Sequence, residues 1–175
     1  MVSAELLLGL VLLMVGFVFF CNGMTLLGKT GAKEVGVLNL AVGIIISIAA
    51  WQLHAIGFTG ATALISVFAL IYFMVAGIFV HGMDGKGLGW FCLFGTVVFA
   101  WYGFHFYGAG LTEIGLFCIS WAVLVFIVWT ALALGKATAT LAAYIFLIES
   151  IITLLIPGML LLTEKWHPFG GVPGG

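Results

Sequence analysis

Glu149 stands in the middle of an apolar run, Leu141 to Leu162, that reads LAAYIFLIESIITLLIPGMLLL. Ser150 and Thr153 lie beside it, and Pro157 follows two turns on. A run this long and this apolar reads as a transmembrane helix. A carboxylate at mid-bilayer depth costs about 2.5–3.5 kcal/mol on insertion scales, so it normally faces a bundle interior or a wet cavity. That makes Glu149 the first functional candidate, as an acceptor for N–H groups or as a titrating group. Pro157 has no N–H to offer the carbonyl of Thr153. A carbonyl freed at that depth must find a partner or line a cavity.

Two buried-depth amides come next. Asn22 and Asn39 each lie near one end of an apolar run, and they serve either as cross-helix glue or as part of a path. Leu8, Leu12, Val15, Phe19 and Asn22 are spaced by alternate fours and threes and so share one helix face. Packing, lipid contact and pore lining all fit that spacing. Phe68 and Tyr72 are one turn apart; Phe117, Trp121 and Leu124 share a face, with Trp129 about a turn further on. Glu5, His54, His105 and Glu113 fall near run ends, as plain interfacial groups or as a pore mouth and pH sensor. No histidine pair has zinc spacing on one helix, and Cys21, Cys92 and Cys118 read as small core residues. Neither a metal nor a cofactor is expected. With no nucleotide loop and no nucleophile–base pair, an enzyme is not expected either. One carboxylate, some amides and hydroxyls, and aromatic edges are too sparse a set for an ion relay. They suit a small neutral polar solute, while tight apolar rings exclude hydrated ions.

The elements that must position these groups follow from composition. The chain has 175 residues, 65% hydrophobic and 6% charged, where a soluble domain is about 25% charged. Its partner is therefore the lipid bilayer; with no arginine and a formal net charge of −1, nucleic acid is excluded. Six spans are expected, at about Ala4–Leu27, Glu34–Leu53, Thr59–Val80, Leu88–Phe106, Thr112–Leu134 and Thr138–Leu162. The fold class is an all-α membrane protein of six transmembrane helices arranged as three hairpins. One channel domain occupies residues 1–165, and 166–175, ending in GGVPGG, is a flexible tail. No cleavable signal peptide is expected, since no basic n-region precedes the first run.

Lys29, Lys33, Lys86 and Lys136 fall in the first, third and fifth links, and the second and fourth have no lysine. The positive-inside rule then makes the odd links cytoplasmic and both termini periplasmic or extracellular. The lysine turns recur roughly every fifty residues, a weak hint of a threefold repeat. Gly9, Gly16 and Gly23 recur every seven residues, and Gly36 and Gly43 repeat that spacing on the second span. Small residues let membrane helices approach closely, so the first and second spans are expected to pack through these stripes. Trp51, Trp90, Trp101 and Trp166 sit at span ends like interfacial anchors.

The ordered set LGLVLLMVGFVFFCNG, LGK, VLNLAVG, LTEIGLFCISW, and GK followed by IESIITLLIPGMLL resembles the bacterial urea channel and amide transporter family, the AmiS/UreI family, over nearly the whole chain. The resemblance implies six helices per protomer, a pore in each protomer and a hexameric homo-oligomer in the bacterial inner membrane. It implies passive conduction of urea or short aliphatic amides such as acetamide. By position, Leu8, Leu12, Val15, Phe19, Asn22, Phe68, Tyr72, Phe117, Trp121, Leu124 and Glu149 match pore-lining sites. Two departures stand out. The acid-gated gastric member has a long histidine-rich loop where this chain has only HAIGF, with His54 alone; strong acid gating is not expected. Phe117, Leu124 and Val128 stand where the urea channel has tryptophans, which leaves urea and larger amides both open as substrates.

Three functions remain. The first is a passive channel in which Glu149 accepts hydrogen bonds from Asn22 or Asn39 and from the solute, or holds the pore helices in place. The second is a proton-coupled amide carrier. The third is a non-transporting scaffold subunit.

Overall fold

A computed structural model describes residues 3–169, and every regular element among them is helical. The helices are α1 (Ala4–Leu26), α2 (Ala32–Ala55), α3 (Thr59–His81), α4 (Lys86–Gly108) and α5 (Thr112–Leu132), followed by a broken sixth span. That span runs as α6 (Ala139–Glu149), one π-helical turn (Ser150–Leu155) and α7 (Ile156–Leu162). Each of the six spans, Ala139–Leu162 counted as one, is long and apolar enough to cross a membrane. The links are too short for anything but antiparallel neighbours. One end of the bundle carries the start of α1, the end of α7 and Lys165; the other carries Lys29, Lys33, Lys86 and Lys136.

Glycine decides which helices touch most closely, and the expected pairing of the first two spans is corrected here. A methyl group on Gly9 would meet Leu161 Cβ at 2.9 Å, on Gly16 Leu154 Cβ at 3.3 Å, and on Gly23 the Ala143 carbonyl at 2.9 Å. The stripe on α1 thus receives the sixth span along its whole length. Gly36 and Gly43 instead admit Val80 and Phe73 of α3. Gly103 and Gly115 bring α4 against α5, where a Cβ on Gly115 would lie 2.8 Å from the Gly103 carbonyl. The reason is that seven-residue spacing marks a close-packing face without naming its partner. The close pairs are α2 with α3, α4 with α5, and the sixth span with α1, which closes the ring around a shared interior.

That interior holds Val15, Phe19, Phe68, Tyr72, Phe99, Trp121, Leu124 and Leu154, all buried. The outer face is apolar as well: Val37, Ile48, Phe94 and Val97 are each more than half exposed. An apolar belt of this extent is what lipid or further membrane protein covers. Trp51, Trp90 and Trp101 also face outward.

The break in the sixth span follows Glu149 directly. A π turn carries one extra residue and shifts the backbone bonds from four residues back to five. Pro157, in the first turn of α7, removes one N–H from the ladder, and the π turn lies just before it. The sequence placed the disturbance at Thr153 and Pro157; the structure puts its start one turn earlier, beside the acid.

Candidate functional site

Two separate cavities lie inside the helix ring, one toward each end. The cavity at the end bearing the termini has a volume of about 70 Å³ and is lined wholly by apolar side chains. Its walls include Leu8, Leu12 and Val15 of α1, Phe68 of α3, and Phe117 and Trp121 of α5. The cavity at the lysine end, about 110 Å³, is lined by Val75, Leu88, Val128 and Phe146 among others, with Asn22 as its one polar wall residue.

An aromatic layer separates them. Phe68 and Trp121 meet edge to face with ring centroids 5.2 Å apart, and Phe68 packs on Phe99 at 4.7 Å and on Tyr72 at 6.2 Å. Phe19 joins the layer to the other cavity, standing edge-on to Phe146 at 4.9 Å and to Phe68 at 5.9 Å. Edge-to-face contacts of this kind are favoured by the ring quadrupoles and fix the relative orientation of the rings.

The polar groups are unevenly satisfied. Asn39 Nδ2 donates to Asn22 Oδ1 at 2.8 Å and to the Val35 carbonyl at 2.8 Å, and Asn22 Nδ2 donates to Asn39 Oδ1 at 3.3 Å. The two amides therefore clasp α1 to α2. This corrects the expectation that one of them donates to Glu149, because amide pairs satisfy donor and acceptor together. An amide nitrogen has two hydrogens, so Asn22 keeps one beside the lysine-end cavity. Glu149 is buried, and its Oε2 has no partner among the described residues; neither has the Tyr72 hydroxyl. The Ser120 hydroxyl, one residue from Trp121, donates to the Phe117 carbonyl at 2.9 Å. Trp121 Nε1 donates to Thr153 Oγ1 at 2.9 Å, and Thr153 Oγ1 donates to the Glu149 carbonyl at 2.9 Å. Buried unpaired polar atoms are rare in folded proteins and call for an explanation.

The remaining candidates divide. Leu124 is fully buried in the core. Asn39 is buried and lines neither cavity. Trp129 faces Trp90 and Phe126 at 6.1 and 5.1 Å and also lies outside both linings; its neighbour Val128 takes the cavity position. His54 sits beside Trp51 in an open groove between α2 and α3, away from both cavities. His105 and Glu113 are exposed.

Glu5 has a partner the sequence did not suggest. Its Oε2 lies 2.7 Å from His167 Nδ1. Glu164 adopts φ 54°, a left-handed conformation uncommon for a residue with a side chain, and the chain turns back on itself there. Trp166 then rests on Phe117 at 6.3 Å, and Phe169 stands edge-on to Phe58 at 5.2 Å and walls the terminal-end cavity. Residues 166–169, expected to be loose, are held by these contacts; 170–175 lie outside the described residues. The hydrogen bond that the His167 ring donates to the Glu5 carboxylate raises the His167 pKa above its usual value. Phe146 was also missed, though its place three residues before Glu149 puts it on the same helix face.

A model of the AmiS/UreI family of transporters matches residues 7–165. The chain belongs to the AmiS/UreI family. This AmiS/UreI protein is 30% identical over 166 residues to a transporter of amidate substrates from Mycolicibacterium smegmatis, covering 91% of this chain and 78% of that one. It is 29% identical over 171 residues to the transporter protein AmiS2 of Rhodococcus erythropolis, covering 94% and 83%. The Helicobacter pylori urea channel in its closed state superposes with a TM-score of 0.80 at 23% identity, over 91% of this chain and 100% of that one. A crystal structure of that channel gives a TM-score of 0.78. At this identity the likeness establishes the shared fold.

Proposed function

We propose that this protein is a passive channel for urea and short aliphatic amides in the bacterial inner membrane, with the lysine end cytoplasmic and the termini outside. The observation that carries the reading is the pairing of two cavities divided by an aromatic layer, in a core where Glu149 Oε2 and the Tyr72 hydroxyl are buried without partners although neither residue lines a cavity. A planar amide has N–H groups for the carboxyl oxygen and a carbonyl for the hydroxyl or for the free N–H of Asn22. It can exchange water's hydrogen bonds for these as it passes, which offsets the cost of leaving solvent. An ion finds no such compensation in an apolar vestibule.

Passive conduction is favoured over proton coupling because, among the described residues, Glu149 is the lone buried acid and has no cationic partner. Family membership supports transport over a scaffold role. The apolar outer face supports assembly with further copies, as a hexamer of independently conducting protomers. Glu5 with His167 stands at the terminal-end mouth, and His54, His105 and Glu113 are flank groups with no part in strong acid gating.

The test is uptake of labelled urea and acetamide by proteoliposomes, with and without an imposed pH gradient. A channel equilibrates both solutes at the same rate in either condition. Accumulation above the external concentration, driven by the gradient, would replace this reading with the carrier.

A further inference from the structure

Trp121 has the largest side chain lining the terminal-end cavity, yet its indole N–H does not face that cavity's contents. The N–H is spent on Thr153 Oγ1, at 2.9 Å. Thr153 has one hydrogen to give and gives it to the Glu149 carbonyl, at 2.9 Å; its lone pairs are thereby left to accept from the indole. Thr153 is buried and lies within the π turn. The turn next to the acid thus brings a hydroxyl across to α5 and holds one edge of the indole, while Phe68 at 80° and Phe117 at 37° flank its ring.

We infer that Thr153 is a positioning residue: it locks the indole of Trp121 in one orientation and so sets the width of the slot that a solute passes. This rests on the channel reading above and deepens it, assigning size selection to the Thr153–Trp121 bond and hydrogen-bond selection to Glu149. A buried indole N–H that loses its acceptor must turn to find another. The side chain it turns is wide enough to change the opening.

Thr153→Val keeps the shape and removes the acceptor, whereas Thr153→Ser keeps the acceptor. In proteoliposomes, Thr153→Val is expected to raise the propionamide-to-urea permeability ratio about fivefold, the equivalent of one internal hydrogen bond. Thr153→Ser is expected to keep the wild-type ratio. In a Trp121→Phe background, which has no N–H to hold, Thr153→Val is expected to add nothing. An unchanged ratio in Thr153→Val, or the same change with and without the indole, overturns the inference. A second readout needs neither transport nor the valine variant. In ¹⁵N-tryptophan-labelled wild type, the indole signal lost in Trp121→Phe is expected to lie downfield and to exchange slowly with D₂O. Rapid exchange there overturns the positioning role even if flux is normal. A wild type that conducts neither urea nor amides defeats the channel reading and leaves the spectroscopic result to stand alone.

Discussion

The two halves of the interior use the same apolar material differently. Toward the terminal end the cavity walls are apolar, and the polar atoms behind them are paired, the Trp121 N–H with Thr153 and the Thr153 hydroxyl with the Glu149 carbonyl, while Glu5 Oε1 is left unpartnered. The walls there offer only shape. At the central layer and toward the lysine end, polar capacity is left over, on Glu149 Oε2, on the Tyr72 hydroxyl and on one hydrogen of Asn22. On the proposed reading, a solute is sorted first by thickness and then by what it can donate and accept.

The largest expected effect comes from abolishing the second kind of selection. Glu149→Leu removes a buried carboxylate that lacks a full set of partners, and replacing such a group with an apolar one is often neutral or stabilising. Urea and acetamide flux is expected to fall by about tenfold, the worth of one charge-assisted hydrogen bond, while thermal stability holds or rises. Flux measured beside a melting curve on the same preparation checks the opposed signs. A fall in both would make Glu149 a structural residue.

Breaking the amide clasp should move stability instead. Asn39→Leu leaves Asn22 without its partner and the Val35 carbonyl without its extra donor, at a cost of about 1–3 kcal/mol. A lowered denaturation midpoint in detergent, with selectivity among conducted amides unchanged, is the expected result.

Deleting everything after Lys165 removes Phe169 from the cavity wall and His167 from Glu5. Entry from that end should quicken by about twofold, a small change because the contacts are exposed and aromatic rather than locked. Initial rates of acetamide entry in the truncated and full chains measure it.

The smallest effect is that of pH. Because pairing with Glu5 raises the His167 pKa, the charged pair is fully present below the free imidazole value of about 6.5 and is lost as pH rises through the higher folded value. Acid therefore holds the tail in place. For an exposed pair, flux should differ by less than about twofold between pH 5.5 and 7.5. A steep rise in acid would show a gate elsewhere, with His54 and His105 the first residues to replace.

Much of this arrangement was readable in the chain itself. Six spans emerged to within a few residues because apolar length and lysine-bearing links are one-dimensional signals. The interior position of Glu149, Trp121 and Phe68 followed from charge cost and helical spacing. What stayed hidden was partnership. The glycine stripe of α1 announced a close neighbour, but its neighbour is the last span, more than a hundred residues away, because glycine marks a low surface and carries no complementary pattern. Asn22 and Asn39 were evident as polar groups needing partners, yet only three dimensions show them choosing each other over the acid. The tail was read as loose because its glycines and prolines obscured two ring contacts, those of Trp166 and Phe169, and the pairing of His167 with Glu5. Trp129 was drawn toward the path by being a tryptophan, whereas helix phase gives that position to Val128.

The most direct test of the central claim is stopped-flow light scattering of proteoliposomes challenged with urea, acetamide, glycerol and water, comparing wild type with an assembled Glu149→Leu variant. The account expects fast urea and acetamide relaxation in wild type, slowed selectively in the variant, with water permeability unchanged. Wild-type rates equal to those of protein-free vesicles, or a variant that slows all four permeants alike, would contradict it.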